Sequence, residues 1–369
     1  MEILNYRPTK IKINLQAIQQ NIRNLQRHLA KHVNIIAVVK ANAYGHGDIE
    51  TAKVAIQEGA CMLAVATPEE AIHMRAHFTH IPILVMGVVP VSFAAYAAKH
   101  HITLTVPSLA WTEQLCRHSL TETLHVHVKL DTGMGRIGLH TVDDVKEVER
   151  LLLQLEQVKI TGAFTHFATA DEEDQTYFDK QVQRFKTLMQ SFSIQPPFIH
   201  LANTAVAMVK EANLHYDAVR YGISLYGLAA SNYVAQHHPF TLHQALSLST
   251  ELVHVKQLPA GEGIGYGAVY TTKEPTWVGT LPIGYADGLL RGLTGQEVLI
   301  DGKRFPIIGR ICMDQCMIKL DQAYPLGKKV TLIGQDGGQC ITVDEWAKRL
   351  KTINYEIPCM LSTRIPRVF

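Results

Sequence analysis

Asn34-Ile35-Ile36-Ala37-Val38-Val39-Lys40 is an apolar, largely β-branched run that ends abruptly in an amine. A strand of a parallel sheet reads this way, because helices cover both faces and leave no polar side to alternate with. Seven further runs of the same kind follow, at 62–66, 83–86, 103–106, 125–130, 158–164, 198–202 and 217–221. Segments with helical spacing lie between them. Ile18, Ile22, Leu25 and Leu29 share one helical face. Thr67-Pro68-Glu69-Glu70 is a capping box with proline at the first helical position. A leucine-rich helix is expected at 147–155, ahead of the sixth run. Eight strands alternating with helices close a (β/α)8 TIM-like barrel, an α/β fold.

Such a barrel takes about 250 residues, which leaves about 120 of the 369 unexplained. The pattern changes after His237-His238-Pro239. Runs at 245–256, 277–283, 297–300, 304–311 and 329–333 predict strands, separated by Gly, Pro and Asp-Gly turns. One helix is expected at 343–350. The organisation expected is therefore a barrel over 1–240 and a mostly-β domain over 241–369. Apolar residues make up 47% and charged residues 18%, which excludes a disordered chain. A net charge of +2 is too balanced for a broad nucleic-acid or membrane-surface binder. No run has the roughly 18 apolar residues of a membrane span, and the first twelve residues lack a signal-peptide core. The six cysteines form no CxxC pair, so free thiols in a reducing cytoplasm and no metal site are expected.

In such barrels chemistry sits at the C-terminal ends of the strands. Those ends carry Lys40, then Lys129 leading into Asp131-Thr132-Gly133-Met134-Gly135-Arg136, then His166, Asn203-Thr204, and Arg220 followed by Tyr221-Gly222-Ile223. An amine emerging from a buried strand, partly desolvated and near another cation, loses its proton readily and can form a Schiff base. The loops after the last two strands often cradle phosphate with backbone N–H groups. Thr204 adds a hydroxyl there, and Gly222 lets the backbone approach closely. A Schiff-base lysine beside a phosphate cradle points to pyridoxal 5′-phosphate. Each residue alone has a plain structural explanation; their convergence on one rim is what singles them out.

Val38-Val39-Lys40-Ala41-Asn42-Ala43-Tyr44-Gly45-His46-Gly47 resembles the cofactor-lysine signature of bacterial alanine racemases. The resemblance continues through 128–138, Thr165-His166-Phe167-Ala168, 219–227, Gly265-Tyr266-Gly267, 282–288, 309–315 and Asn354-Tyr355-Glu356, covering essentially the whole chain. It implies that Lys40 carries the cofactor and serves as one of two bases. Tyr266 is then the other base, supplied by the second subunit of a head-to-tail homodimer. Arg220 would bond the pyridine nitrogen, with His166 linking it towards Tyr266. Tyr44, Thr204, Tyr355 and the backbone of Gly222 and Ile223 would hold the phosphate, and Asn203 would also contact the cofactor. Arg136 would bind near the cofactor's phenolic oxygen and the substrate carboxylate, and the Met313 N–H of the second subunit would bind that carboxylate. Lys129 resembles a lysine carbamylated in many members. Asp171, Tyr285, Arg291, Arg310 and Ile353 occupy positions similar to the family's substrate-access corridor. By this resemblance the reaction interconverts L- and D-alanine, supplying D-alanine for peptidoglycan.

Racemisation removes a proton from one face of Cα and returns it to the other, so two bases must flank a planar carbanion. Tyrosine, with an ordinary pKa of about 10, is a poor base unless nearby cations lower it. Guanidinium does not surrender its proton, so Arg220 would leave the pyridine nitrogen unprotonated and weaken the electron sink. Two alternatives share the cofactor. A decarboxylase of basic amino acids would place a carboxylate where Arg220 stands and a cysteine where Tyr266 stands. A non-catalytic homeostasis protein would end after the barrel.

Overall fold

The computed structural model describes residues 6–369, and the chain divides into two compact units. One holds Leu15–Ala43 and Asp48–Gln244; the other holds residues 6–14, Tyr44–Gly47 and Ala245–Phe369. The single boundary at 240/241 expected from the sequence thus differs at the N-terminus and at the segment after Lys40. Strand β1 (Lys10–Ile13) lies in the second unit and is described with it.

The first unit carries β2 (Asn34–Val38), β3 (Met62–Val65), β4 (Ile83–Val85), β5 (Ile102–Val106), β6 (Leu124–Lys129), β7 (Val158–Phe164), β8 (Ile199–His200) and β9 (Ala218–Tyr221). All pair in parallel, in the order β8-β7-β6-β5-β4-β3-β2-β9. Two backbone bonds join the ends of that path. The Asp217 N–H donates to the Ile199 carbonyl at 3.0 Å and the Arg220 N–H to the Ala202 carbonyl at 2.9 Å. Eight parallel strands therefore form a nearly closed barrel with alternating helices. The eight apolar runs match these strands, except that the run at 198–202 is regular only over two residues.

The helices follow their local signals. Helix Leu15–His28 buries Ile18, Ile22 and Leu25. Helix Pro68–His77 starts with the expected capping box. The helix expected at 147–155 begins earlier, at Val142, because Thr141 and Asp144 form a second capping box there. One pairing is irregular: between β6 and β7 the register passes from Val126↔Ile160 to His127↔Gly162, leaving Thr161 as an extra residue.

The second unit is mostly β, as expected. Its strands are β1, β10 (Leu246–Glu251), β11 (His254–Leu258), β12 (Gly263–Ile264), β13 (Tyr270–Thr271), β14 (Thr276–Leu281), β15 (Glu297–Ile300), β16 (Lys303–Ile308), β17 (Cys316–Leu320), β18 (Lys329–Asp336), β19 (Gln339–Ile341) and β20 (Arg367–Val368). The main sheet runs β11-β14-β17-β16-β15-β18-β10-β1-β20. The run at 245–256 is two strands, broken at Leu252-Val253. The expected helix is Val343–Leu350, capped by Thr342 and Glu345.

Strand β1 joins this sheet because its short Lys-Ile-Lys-Ile alternation points Ile11 and Ile13 into the core and both lysines outward. It pairs antiparallel with β10 and parallel with β20. Ile11 is fully buried, so Ile11→Ala should lower the free energy of urea unfolding by about 3 kcal/mol. Amide exchange should rise at Ser247 and Ser249, which face Lys12 and Lys10 in the hydrogen-bonded pairs of the β1–β10 ladder. Unchanged exchange at those positions would show that β1 does not support the sheet.

Candidate active site

Lys40 stands two residues past the end of β2, after Val39, and is half-buried. The next residues turn the wrong way for L-amino acids: Ala41, Asn42, Ala43 and Tyr44 all have φ of 52–53°. Left-handed helical geometry costs roughly 1–2 kcal/mol per residue, so the surroundings must impose it. Glu70, the capping-box glutamate, accepts from the Ala41 N–H at 2.6 Å and the Ala66 N–H at 2.7 Å. The Asn42 side chain accepts from the Asp48 N–H at 3.0 Å. The Ala43 N–H donates to the Val39 carbonyl at 2.9 Å. One carboxylate thus caps a helix and holds the turn that carries Lys40.

Inside the barrel, Arg220 is buried with no carboxylate partner among the described residues; neutral acceptors surround it instead. Nη1 donates to His200 Nδ1 at 2.9 Å and to the His200 carbonyl. Nη2 donates to the Thr165 carbonyl at 2.7 Å, the Leu201 carbonyl at 3.1 Å and His166 Nδ1 at 3.4 Å. Burial, then Arg136, pushes the Arg220 pKa down to about 9, which still leaves it charged at neutral pH. Burial, then the Arg220 charge, holds His166 and His200 well below the ordinary histidine range. Both are therefore neutral.

Lys129, at the end of β6, is 3% exposed, and its Nζ has no hydrogen-bond partner. Burial first, then Arg220 and Arg136, lowers its pKa well below the usual lysine value; Asp131 opposes this. The Asp131 carboxylate instead accepts from the Gly133 and Gly135 N–H groups, shaping the loop to Arg136. Arg136 is exposed. Gln181 reaches this loop from helix Thr176–Met189. It donates to Thr132 Oγ1 at 3.3 Å and the His166 carbonyl at 3.1 Å.

The expected phosphate residues meet in a specific way. The Gly222 N–H donates to Thr204 Oγ1 at 2.9 Å, so it is already engaged within the protein. Thr204 retains its own hydroxyl proton for a ligand. Asn203 caps helix Thr204–Val209 by accepting from the Val206 N–H at 3.1 Å. Ile223 opens the short helix Ile223–Tyr226. Asp171 is half-buried, and its carbonyl accepts from Ser231 Oγ at 2.6 Å.

The other expected residues lie in the second unit. Tyr44 and Tyr355 rings are 6.1 Å apart, and burial pushes the Tyr44 hydroxyl up out of the ordinary tyrosine range. Gly45, at φ 81°, lies so close to Pro358 that a Cβ would meet its carbonyl at 2.1 Å. Tyr266 and Met313, 71% and 53% exposed, line one cavity of about 510 Å³ with Gly265, Cys312, Asp314 and Gln315. The Tyr285 and Ala286 N–H groups donate to the Cys312 and Met313 carbonyls at 3.0 Å each. Arg364 donates to Asp314 at 2.8 Å. Arg310 lies against the Gly265–Gly267 turn, whereas Arg291 and Ile353 are exposed. Among the described residues, no group of three or more His, Cys, Asp or Glu is arranged to hold a metal.

Sequence reasoning missed His200, His127, Gln181 and the second role of Glu70. His200 sits inside the seventh apolar run, and an interior histidine there was the available signal. For Glu70 a direct check exists. Glu70→Ala should cost about 1–2 kcal/mol and raise amide exchange across 41–44. Unchanged exchange there would show that the turn holds itself.

Residues 13–230 match the family described as alanine racemase, N-terminal domain, and residues 245–369 the alanine racemase C-terminal domain. The chain is 48% identical over 364 residues to alanine racemase 1 of Bacillus subtilis, covering 99% of this chain and 93% of that protein. It is 47% identical to the alanine racemase of Halalkalibacterium halodurans, covering 99% and 95%. The crystal structure of the Bacillus anthracis alanine racemase with bound L-Ala-P superposes with a TM-score of 0.96 at 42% identity, covering 99% and 96%. A histidine racemase from Leuconostoc mesenteroides superposes with a TM-score of 0.91 at 30% identity, covering 99% and 98%. With both domain families matched in order along nearly its whole length, this chain belongs to the alanine racemase family.

Proposed function

We propose that the protein interconverts L-alanine and D-alanine using pyridoxal 5′-phosphate, supplying D-alanine for peptidoglycan from the cytoplasm. The observation that carries this reading is Arg220, a buried cation held by histidines and carbonyls with no acid beside it among the described residues. A decarboxylase of basic amino acids would need a carboxylate there.

The residues fit the cofactor. Lys40 offers the amine, the Thr204 hydroxyl keeps a proton to donate, and Arg220 can only donate to a ring nitrogen. When bound through Lys40, the cofactor supplies an electron sink that acidifies the substrate Cα–H. Lys40 then holds or removes the Cα proton on one face. Tyr266 of the partner subunit serves the other face in a head-to-tail homodimer. His166 accepts from Arg220 at Nδ1, so its Nε2 carries the proton and donates outward to lower a tyrosine pKa. Arg136 and the Met313 N–H of the partner subunit bind the substrate carboxylate. Tyr44, Tyr355, Thr204 and the Ile223 N–H hold the phosphate, with Gly222 acting through Thr204. Asp171, Tyr285, Arg291, Arg310 and Ile353 line the approach.

Lys129 has a second reading. Its Nζ is buried without a partner and pushed towards the neutral amine, the form that attacks carbon dioxide. The N–C bond forms, one N–H proton leaves to solvent, and the resulting carbamate anion sits near Arg136 and Arg220.

In deuterium oxide, pure L-alanine should lose optical activity and gain deuterium at Cα, at comparable rates from either enantiomer. Decarboxylation, absence of Cα exchange, or faster turnover of L-histidine would contradict the reading. Lys40→Ala and Tyr266→Ala homodimers should each be inactive, and mixing them should restore activity. No recovery despite demonstrated subunit exchange would argue against sites shared between subunits. With ¹³C-bicarbonate, the protein should show one carbamate resonance that Lys129→Arg removes; a resonance surviving in that variant would place the carbamate elsewhere.

A further inference from the structure

Behind Arg220, on the side away from any role assigned above, stands a second histidine. His127 Nδ1 lies 2.9 Å from His200 Nε2, and His200 Nδ1 lies 2.9 Å from Arg220 Nη1. The direction of every proton in this chain follows from its charged end. Guanidinium has no acceptor, so Arg220 donates and His200 Nδ1 must accept. His200 then carries its proton on Nε2 and donates it to His127 Nδ1. His127 is left protonated on Nε2.

The backbone is shaped to allow this. His127 is the residue at which the β6–β7 register slips, and bulges commonly re-aim a side chain beside a site. Its partner Gly162 has no side chain, and a Cβ there would sit 2.7 Å from His127 Nε2. The irregular pairing and the glycine together make room for a buried imidazole. Burial, then His125, holds His127 neutral, down to about 3, so it remains an acceptor at any working pH. His200 is packed against Phe164, with ring centroids 4.8 Å apart and planes 13° apart, and Arg220 lies over the same ring at 5.5 Å. Stacking fixes the plane of His200 but not its tautomer; that is set by the Arg220 donor at Nδ1 together with an acceptor at Nε2.

We propose that His127 is a positioning residue for the racemase reaction: by accepting the His200 Nε2 proton it locks the tautomer that turns a lone pair towards Arg220 and aims the guanidinium at the cofactor ring. The proposal rests on the function given above only for its kinetic consequence. The tautomer itself is independent of it.

Two substitutions separate acceptor from shape. His127→Asn places an oxygen near the Nδ1 position, and His127→Leu has the same branched outline without one. With ¹⁵N-histidine labelling, the wild-type holoenzyme should show His200 protonated at Nε2 and accepting at Nδ1. His127→Asn should keep that signature, with kcat for alanine within about twofold, whereas His127→Leu should lose it and drop kcat by about tenfold or more at unchanged KM. A wild-type His200 carrying its proton on Nδ1 would overturn the proposal without any variant having to fold. So would Asn and Leu variants that share one tautomer and one kcat. If wild type fails to racemise alanine, the functional reading falls, and the histidine tautomer still decides whether His127 locks His200.

Discussion

A full positive charge is buried in this barrel without a negative partner, and much of the site is arranged around that fact. Moving an ion from water into a protein interior is costly, and a neighbouring carboxylate is the common remedy. Arg220 is instead surrounded by carbonyl oxygens and imidazole nitrogens, five acceptors on two terminal nitrogens. This choice preserves the positive field. Burial first, and then this field, hold His166 and His200 neutral and depress Lys129. An acid at the same point would neutralise the field and offer the ring nitrogen a proton. The identity of one side chain thus separates a weak electron sink from a strong one.

The chain supports this centre with ordinary elements put to two uses. Glu70 caps a helix and also holds the left-handed turn after Lys40. Thr204 opens a helix and also ties down Gly222. Gln181 lies on a barrel helix, yet its amide holds the loop before Arg136 and the backbone of His166. Each arrangement places a polar group where its second partner is a backbone N–H or C=O of a site loop, so the geometry is set by the scaffold. In the second unit the loop around Met313 is framed similarly, by backbone donors from 285–286 and by Arg364 on Asp314.

The barrel was legible because parallel strands covered on both sides must be apolar throughout, and eight such runs in order leave few alternatives. The rim residues were legible because Lys40, His166, Thr204 and Arg220 each lie at or just beyond the C-terminal end of a run. What escaped has a physical reason in each case. Strand β1 is four residues of alternating lysine and isoleucine whose partners, Leu246–Glu251 and Arg367–Val368, lie more than two hundred residues away. The left-handed turn is built from Ala-Asn-Ala-Tyr, with no glycine in it to announce a positive φ. The β6–β7 slip depends on Thr161-Gly162, a pair that alone signals nothing. His200 stands alone in its apolar run and His127 alternates with His125, and the meaning of His200 and His127 appears only when closure of the barrel brings them into line with Arg220.

The central claim is that a buried, unneutralised Arg220 dictates the protonation of whatever ring nitrogen faces it. The most direct measurement is the ¹⁵N shift of pyridoxal 5′-phosphate labelled at its ring nitrogen and bound to the wild-type protein, followed across neutral pH. The shift of an unprotonated, hydrogen-bonded nitrogen, moving to the protonated value in Arg220→Glu, is the expected result. A protonated ring nitrogen in the wild-type protein would contradict the account.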